Sequence, residues 1–506
     1  MSAVIKALQA SYDEFPYESI PFAQTHPDRL ATLGYLFGLV PPRVERCRVL
    51  ELGCSSGGNL IPMAASLPAS EFIGIDLSAV QIDQGAADIA TLGLANIRLL
   101  PMDLRDIDET FGSFDYIIAH GVYSWVPNDV QEKVLQICAR QLTPTGIAYI
   151  SYNTLPGWRL SAAVRDAMLY HSRQFSDLKT RVEQARAMLN FLAESQQDNT
   201  SAYAAMLRKE AEAARRQPDY YLLHDYLEEV NEPLYFHEFM ERAKHQGLHY
   251  LAEAEFPSML ADDLPPQVQQ TLARIAPDQL QREQFLDFLR NRSFRQTLLV
   301  HQGAPLTRKL SPKRVFALHI ATLAQPLRDV PDESPTAAEE FRSPEGSLLA
   351  AKRPLTKAAM MALIEASPAA IGFAELCSLA NARLGSTGPV SADDRVALAS
   401  DLLKGFAARF VELHAAALPC TIEPGARPEA SAVVRLQATR GATVTSLRHE
   451  AVTLTDDARQ LVRLLDGNRT REALAALLSP GEAPATVLDK LQPALNQLAR
   501  QALLRR

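Results

Sequence analysis

Val49-Leu50-Glu51-Leu52-Gly53-Cys54-Ser55-Ser56-Gly57-Gly58-Asn59 is the stretch on which the reading of this chain turns. An apolar run ends in a glycine loop, and the loop opens into a segment of helical character, NLIPMAASL. Gly53 permits a tight turn, and Gly57 and Gly58 let the backbone approach a ligand closely. Working outward, short apolar runs recur at RVLEL (48–52), FIGID (72–76), IRLLPMD (97–103), DYIIAHG (115–121) and IAYISYN (147–153), with helical segments between them. Strands alternating with helices predict a parallel sheet covered on both faces. The runs barely alternate in polarity, as expected when both faces are buried.

In such a sheet ligands bind in the crevice beyond the carboxyl ends of the strands. The loop has no GxGxxG spacing and no GxxxxGK[ST], which weighs against a dinucleotide or a phosphate cradle. Three carboxylates stand at three successive strand ends instead: Glu51, Asp76 and Asp103. Glu51, just before the loop, repels a pyrophosphate and attracts a cation. S-adenosylmethionine, with its sulfonium and amino group, suits such a mouth. Asp76, 23 residues beyond Gly53, can accept both ribose hydroxyl protons. Asp103 can accept the adenine amino proton, with Met102 and Leu104 as apolar neighbours. Any one of these acids could merely cap the following helix. Three in register after a glycine loop are harder to assign to caps.

Here the chain resembles the class I S-adenosylmethionine-dependent methyltransferases. LELGCSSGGN (50–59) is similar to their first motif, with Ser55 where the middle glycine of GxGxG is expected. YDEFPY (12–17), HPDRL (26–30), AHGVYSWVP (119–127), SYNTLPGW (151–158), LHYLAEAEF (248–256), FRQTLLVHQ (294–302), SLRHEAVTL (446–454) and LLDGNRTREAL (464–474) resemble the bacterial group with a methyltransferase regulatory domain and a C-terminal winged helix, which includes rickettsial protein-lysine methyltransferases. The resemblance covers nearly the whole chain. It implies a Rossmann-like, seven-stranded α/β methyltransferase sheet with a helical insertion, followed by winged-helix-like α+β modules. It implies S-adenosyl-L-methionine as cofactor, with contacts from Glu51, Gly53, Cys54, Gly57, Asn59, Asp76, Leu77, Asp103, Leu104 and His120. The expected reaction is methyl transfer to a protein side-chain amine, lysine. The alternatives are a small-molecule methyltransferase and a non-catalytic cofactor-binding regulatory protein. An NAD-dependent oxidoreductase is disfavoured by Glu51 and the loop spacing.

The acceptor is expected at the fourth and fifth strand ends, where Trp125 and Trp158, the two tryptophans of the chain, fall beside Tyr123, Tyr152 and Asn153. Aromatic faces and an amide oxygen can line a channel for an alkyl-ammonium group. The alternative is that these rings pack the insertion against the sheet, which is favoured for Trp158. NPPY, common among amine and base methyltransferases, is replaced by AHGV (119–122), which weighs against adenine or glutamine. His120, Tyr123 and Trp125 are the catalytic candidates. His120 could be a general base, although contact with the cofactor is preferred. A lysine acceptor must lose its proton, and burial lowers its pKa. Tyr12 and Tyr17 are candidates for a lid over the cofactor.

The chain reads as an N-terminal lid or clasp (1–45), the cofactor-binding core (46–157), a helical insertion or regulatory region (158–246), a return to the sheet as an antiparallel pair (247–303), a Pro-rich acidic linker (325–352), a helical, winged-helix-like module (353–420) and a C-terminal winged-helix-like module (428–506). Short strands are expected around VVRLQA (433–438) and TVTSLRH (443–449). With 51 basic against 59 acidic residues the net charge is −8, so nucleic acid is not an expected partner. Residues 441–506 carry nine basic and seven acidic residues, too few charges for a committed DNA reader. That module is expected to dock protein, including a second copy as a homodimer. Cys47, Cys54, Cys138, Cys377 and Cys420 have no CxxC spacing, so no zinc site and no disulfide framework are expected. HisGlu at 237–238 has no second ligand at metal spacing. The opening residues lack a charged segment followed by an apolar one, and no apolar run approaches a membrane span. A cytoplasmic protein without a metal or a membrane partner is expected.

Overall fold

The computed structural model describes residues 13–16, 18–328, 337–479 and 484–505. Tyr12 and Tyr17, the lid candidates, lie outside the described residues. The centre is a seven-stranded sheet built from β1 (Arg48–Leu52), β2 (Glu71–Asp76), β3 (Ile97–Pro101), β4 (Phe114–Ala119), β5 (Leu142–Asn153), β6 (Leu248–Glu253) and β7 (Phe294–His301). The strand order is β3-β2-β1-β4-β5-β7-β6. The first five strands are parallel, and β7 runs antiparallel to both β5 and β6. Val49, Leu50, Ile117, Ile118, Ala148 and Ile150 are wholly buried, which is why these strands read as continuous apolar runs. The chain reverses strand order between β1 and β4, and ligand crevices form at such a switch.

Helices flank the sheet with ordinary punctuation. Helix Ala79–Leu92 starts at Ser78, whose hydroxyl accepts from Gln81 N, and stops at Gly93, φ +65°. Helices Trp158–Ser172, Leu178–Ser195, Ala202–Arg216 and Asp219–Tyr226 share a core of their own, including Val164, Met168, Leu189 and Leu222. Helix Phe236–His245, expected to belong to that insertion, packs instead with the sheet through Phe236, Phe239 and Ala243. Arg295 on β7 is 1% exposed and pairs with Glu253 (2.6 Å), Asp287 (2.8 Å) and Glu283 (3.2 Å). It thereby ties β6 and helix Gln279–Arg290 to the end of β7 that meets Asn153 of β5.

Three local readings need correction. Residues 325–352 are not a bare linker. Gln325–Pro326, Glu339–Arg342 and Leu348–Ala351 form a three-stranded antiparallel sheet. Glu339 and Phe341 alternate inward to full burial, in a run too short to show through the acidic, proline-containing composition around it. The module expected from residue 353 also borrows an earlier strand, since Ile371–Gly372 and Glu412–His414 pair on either side of His319–Ala321. VVRLQA lies in a helix, Ala432–Arg440. The Ser431 hydroxyl caps it by accepting from Val434 N, and this cap outweighs the strand preference of two valines. The hairpin Thr443–Thr445 with Ala451–Thr453 follows it, and then three more helices. Among the described residues no helix is long and apolar enough to cross a membrane.

Candidate functional site

At the switch point the backbone after β1 turns sharply. Gly53 and Cys54 both donate to Ile75 O (2.9 and 3.0 Å). Gly53 (φ +74°), Ser55 (φ +52°) and Gly57 (φ +77°) all take the left-handed conformation. Ser55 thus adopts the shape that a glycine would favour at this position. It is held there by its N–H, which donates to Asp76 Oδ2 (2.8 Å), and by its hydroxyl, which meets Gln81. Such strain persists only where the surroundings enforce it.

The three acidic strand ends line one cavity of about 570 Å3, within the usual range for small-molecule sites. Their environments differ. Glu51 is 3% exposed. Its Oε1 accepts from Asn59 Nδ2 (2.7 Å), and its Oε2 is buried without a partner. Burial pushes its carboxyl up to about 8, with Asp76 adding to the rise and the Asn59 bond opposing it. Asp76 is also raised by burial, against the backbone donors Ser78 and Ser55. Asp103 is lowered instead, because the Arg105 side chain grips both its oxygens, Nη2 at 2.6 Å and Nε at 3.1 Å. The three carboxylates expected at successive strand ends thus do share one cavity, but only Glu51 and Asp76 face it without a cationic partner, whereas Asp103 is paired with the Arg105 guanidinium two residues on.

Of the residues singled out from sequence, Glu51, Gly53, Cys54, Asn59, Asp76, Leu77, Asp103, Leu104, His120, Trp125, Asn153 and Trp158 line this cavity. Gly57 shapes the turn without lining it. Tyr123 and Tyr152 are corrections. Both are fully buried beside Phe239, Tyr152 stacking on it at 4.1 Å and Tyr123 meeting it edge-on at 5.3 Å. Neither lines the cavity, and the two rings pack against each other and Phe239 in the core. Trp158, favoured as packing, faces Trp125 edge-on at 6.1 Å, and its Nε1 is buried without a partner at the cavity. Asn153 Nδ2 is likewise unpartnered. His120 Nδ1 lies 2.9 Å from Tyr149 Oη and 3.2 Å from Ser151 Oγ, and burial lowers its imidazole to about 4. It is neutral near pH 7 and too weak a base to take a proton there.

Sequence reasoning missed the walls supplied from afar. Ser19, Phe22 and Gln24 come from the segment before the sheet, Tyr221 and Asp225 from helix Asp219–Tyr226, and Phe294 and Gln296 from β7. Phe22 packs on His120 with ring centroids 4.0 Å apart. Helix Asp219–Tyr226 reads as an ordinary amphipathic helix, and nothing local marks Asp225 as facing a cavity.

The residues present fit S-adenosylmethionine. The buried, unpartnered Glu51 Oε2 lacks only a donor or a cation, and Asp76 ends the strand beside it. Comparisons with known proteins agree. Residues 49–146 match a methyltransferase domain, 218–301 a predicted methyltransferase regulatory domain, and 426–483 the PKMT C-terminal winged helix domain. The regulatory match thus begins late in the expected helical insertion and runs through β6 and β7. An uncharacterized protein of Rickettsia prowazekii (strain Madrid E) is 37% identical over 472 residues, 92% of this chain and 84% of its own length. A second protein of that organism is 43% identical over 239 residues, 47% of this chain and 96% of its own length. PKMT2 from Rickettsia typhi, solved in complex with AdoHcy, superposes with a TM-score of 0.85 at 29% identity, covering 97% of this chain and 100% of that one. With this fold, this acidic crevice and relatives that match along its length, the chain belongs to the bacterial S-adenosylmethionine-dependent methyltransferases that join a methyltransferase domain, a regulatory domain and a PKMT winged helix in one polypeptide.

Proposed function

We propose that this methyltransferase transfers its methyl group to the side-chain amine of a protein lysine. When bound, S-adenosylmethionine supplies an electrophilic methyl group on a positively charged sulfur. Glu51 and Asp76, at the ends of β1 and β2, receive the cationic and hydroxyl-bearing parts of that ligand. The observation that carries the acceptor assignment is the lining across the switch point. The ends of β4, β5 and β7 carry His120, Asn153 and Gln296, and Trp125, Trp158 and Tyr221 stand with them around the same cavity as the Asp225 carboxyl. Ring faces attract an alkyl-ammonium group, and a cavity that holds the amine in line with the methyl group supplies most of what the transfer needs. Asp225 supplies what His120 cannot. Burial raises its carboxyl to about 7, against the opposing influence of His224, so it can take the ammonium proton near neutral pH. The likeness to PKMT2 over the whole chain and to the PKMT winged helix supports the same reading.

The test is transfer of a labelled methyl group from S-adenosylmethionine in a cell lysate, followed by peptide mapping. Label on lysine within protein bands is expected. Label confined to the small-molecule fraction would overturn the protein acceptor, and none anywhere would overturn turnover.

A further inference from the structure

The floor of the cavity is held from behind by the C-terminal module. Asn59 is 3% exposed, and its amide is fully used. Nδ2 donates to Glu51 Oε1 (2.7 Å) and to Thr25 Oγ1 (3.0 Å). Oδ1 accepts from Phe22 N (2.9 Å) and meets His449 Nε2 at 2.8 Å, across 390 residues of sequence. The Thr25 hydroxyl spends its proton on Phe22 O (2.8 Å). A backbone N–H can only donate, so Phe22 marks the acceptor end of the amide. His449 must then carry its proton on Nε2. Burial, with His26 beside it, pushes this imidazole well below its ordinary range and keeps it neutral.

His449 lies in the loop of the winged-helix hairpin, between Thr443–Thr445 and Ala451–Thr453, with its own backbone in the left-handed region (φ +61°). That loop is pinned. Leu447 N donates to Ala502 O (2.8 Å), and Arg448 pairs with Glu412 (2.6 Å) and Glu450 (3.1 Å). The module is clamped a second time where Arg440 Nη1 meets Asp88 Oδ2 at 2.5 Å on helix Ala79–Leu92. One amide therefore connects the hairpin to two walls of the cavity, Glu51 and Phe22.

We propose that His449 is a positioning residue for cofactor binding. Acting through Asn59, the winged-helix hairpin fixes the Glu51 carboxylate and the Phe22 wall, so the cofactor site is complete only when the C-terminal module is docked. The inference rests on the reading of Glu51 as a cofactor contact. Without His449 the Asn59 oxygen keeps one donor of two, and its amide is free to turn away from Glu51. Preorganisation of the carboxylate is then lost. By linkage, cofactor binding tightens hairpin docking by the same factor by which docking tightens cofactor binding.

Calorimetric titration of the full chain with S-adenosylhomocysteine tests this. Glu51→Gln is expected to weaken binding, and His449→Ala to weaken it roughly tenfold. His449→Gln, whose amide N–H can replace Nε2–H, should bind within about threefold of wild type. In the Glu51→Gln background the His449→Ala loss should largely vanish, because both act on one bond network. If Glu51→Gln weakens binding while His449→Ala does not, or if the two losses multiply, the hairpin has no positioning role. Undiminished binding by Glu51→Gln overturns the carboxylate reading and this inference with it. Should His449→Ala not fold, hydrogen exchange on the wild type decides. The amides of Phe22 and of residues 446–450 should gain protection together when S-adenosylhomocysteine is added, and protection of Phe22 alone would overturn the proposal.

Discussion

Glu51, buried, and Asp225, half-buried, are two carboxyls of one cavity, and the proposed function gives them different tasks. Without a cation beside it, Glu51 keeps its proton up to about pH 8, against 4.5 for an ordinary glutamate. Between those values the unfolded chain has lost a proton that the folded chain retains, so stability falls as pH rises through the window. The ligand-free wild type should therefore lose thermal stability across that range relative to Glu51→Gln, as scanning calorimetry would record. A cation beside Glu51 reverses the preference. Binding of S-adenosylmethionine near pH 7 should release up to about one proton per site, read from titrations in buffers of different protonation enthalpy, and Glu51→Gln should release none. Equal release by the variant would remove Glu51 from the contact set. Asp225, raised to about 7, becomes a base only above that value, so turnover should rise with pH through it. Asp225→Asn should lower kcat by roughly a hundredfold and abolish that rise, while leaving S-adenosylhomocysteine affinity unchanged. A pH–rate profile of unaltered shape would reassign the proton.

The segment running from Glu18 to Gln24 closes the cavity from the front by lying against the glycine loop. Gly58 N donates to Ser19 Oγ (2.7 Å), and a Cβ at Gly58 would fall 2.0 Å from the backbone oxygen of Ser19. No side chain can give way there, so Gly58→Ala must displace the segment. Its expected signature is weaker S-adenosylhomocysteine binding, by tenfold or more, and faster proteolysis near residues 18–24. The unfolding midpoint of the ligand-free protein should barely change, because Ser19 is not part of a hydrophobic core. Wild-type affinity in this variant would show that the segment does not cover the ligand. The second glycine of the pair was legible from sequence as a close approach of backbone. That the approaching body would be the chain's own N-terminal segment was not, since the contact spans 39 residues and leaves no local pattern.

Across the whole molecule, modules distant in sequence meet around a buried ionic junction. His414 Nδ1 lies 2.7 Å from Asp28 Oδ2 on helix Pro27–Leu36, and Asp28 Oδ1 accepts from Ala416 N (2.9 Å). Arg448 of the hairpin reaches Glu412 from the other side. Burial disfavours the His414 cation, but Asp28 and Glu412 outweigh it and raise the imidazole to about 9. The stability this gives is complete below 6.5, the ordinary value, and is lost as pH rises through 9. The wild-type unfolding midpoint should fall across that interval. His414→Gln should start lower at neutral pH and show less of the fall. Parallel pH curves for the two proteins would mean that His414 carries no charge at the junction. Arg295 is a comparable case inside the sheet, where one buried guanidinium serves three carboxylates. Removing it would strand charges that cannot reach water, a loss of about 3–5 kcal/mol in comparable sites.

The periodicity of apolar runs from Val49 to Asn153, the glycine loop and the acidic strand ends specified the parallel sheet, its crevice and the charge of its ligand, because each is a local property of consecutive residues and strand ends fall where the runs stop. Ser55 belongs to the same class, since the loop around it dictates its conformation whatever the side chain. Tertiary structure alone decided which rings face the cavity. Tyr123 and Trp125 are two residues apart, yet one is core and the other wall. It also decided that Asp225 lines the same cavity as Trp125 and Trp158, and that His449 meets the Asn59 amide that holds Glu51. Those outcomes depend on how helices and modules pack across hundreds of residues, and packing energy is set by shape complementarity between surfaces that no single stretch of sequence contains.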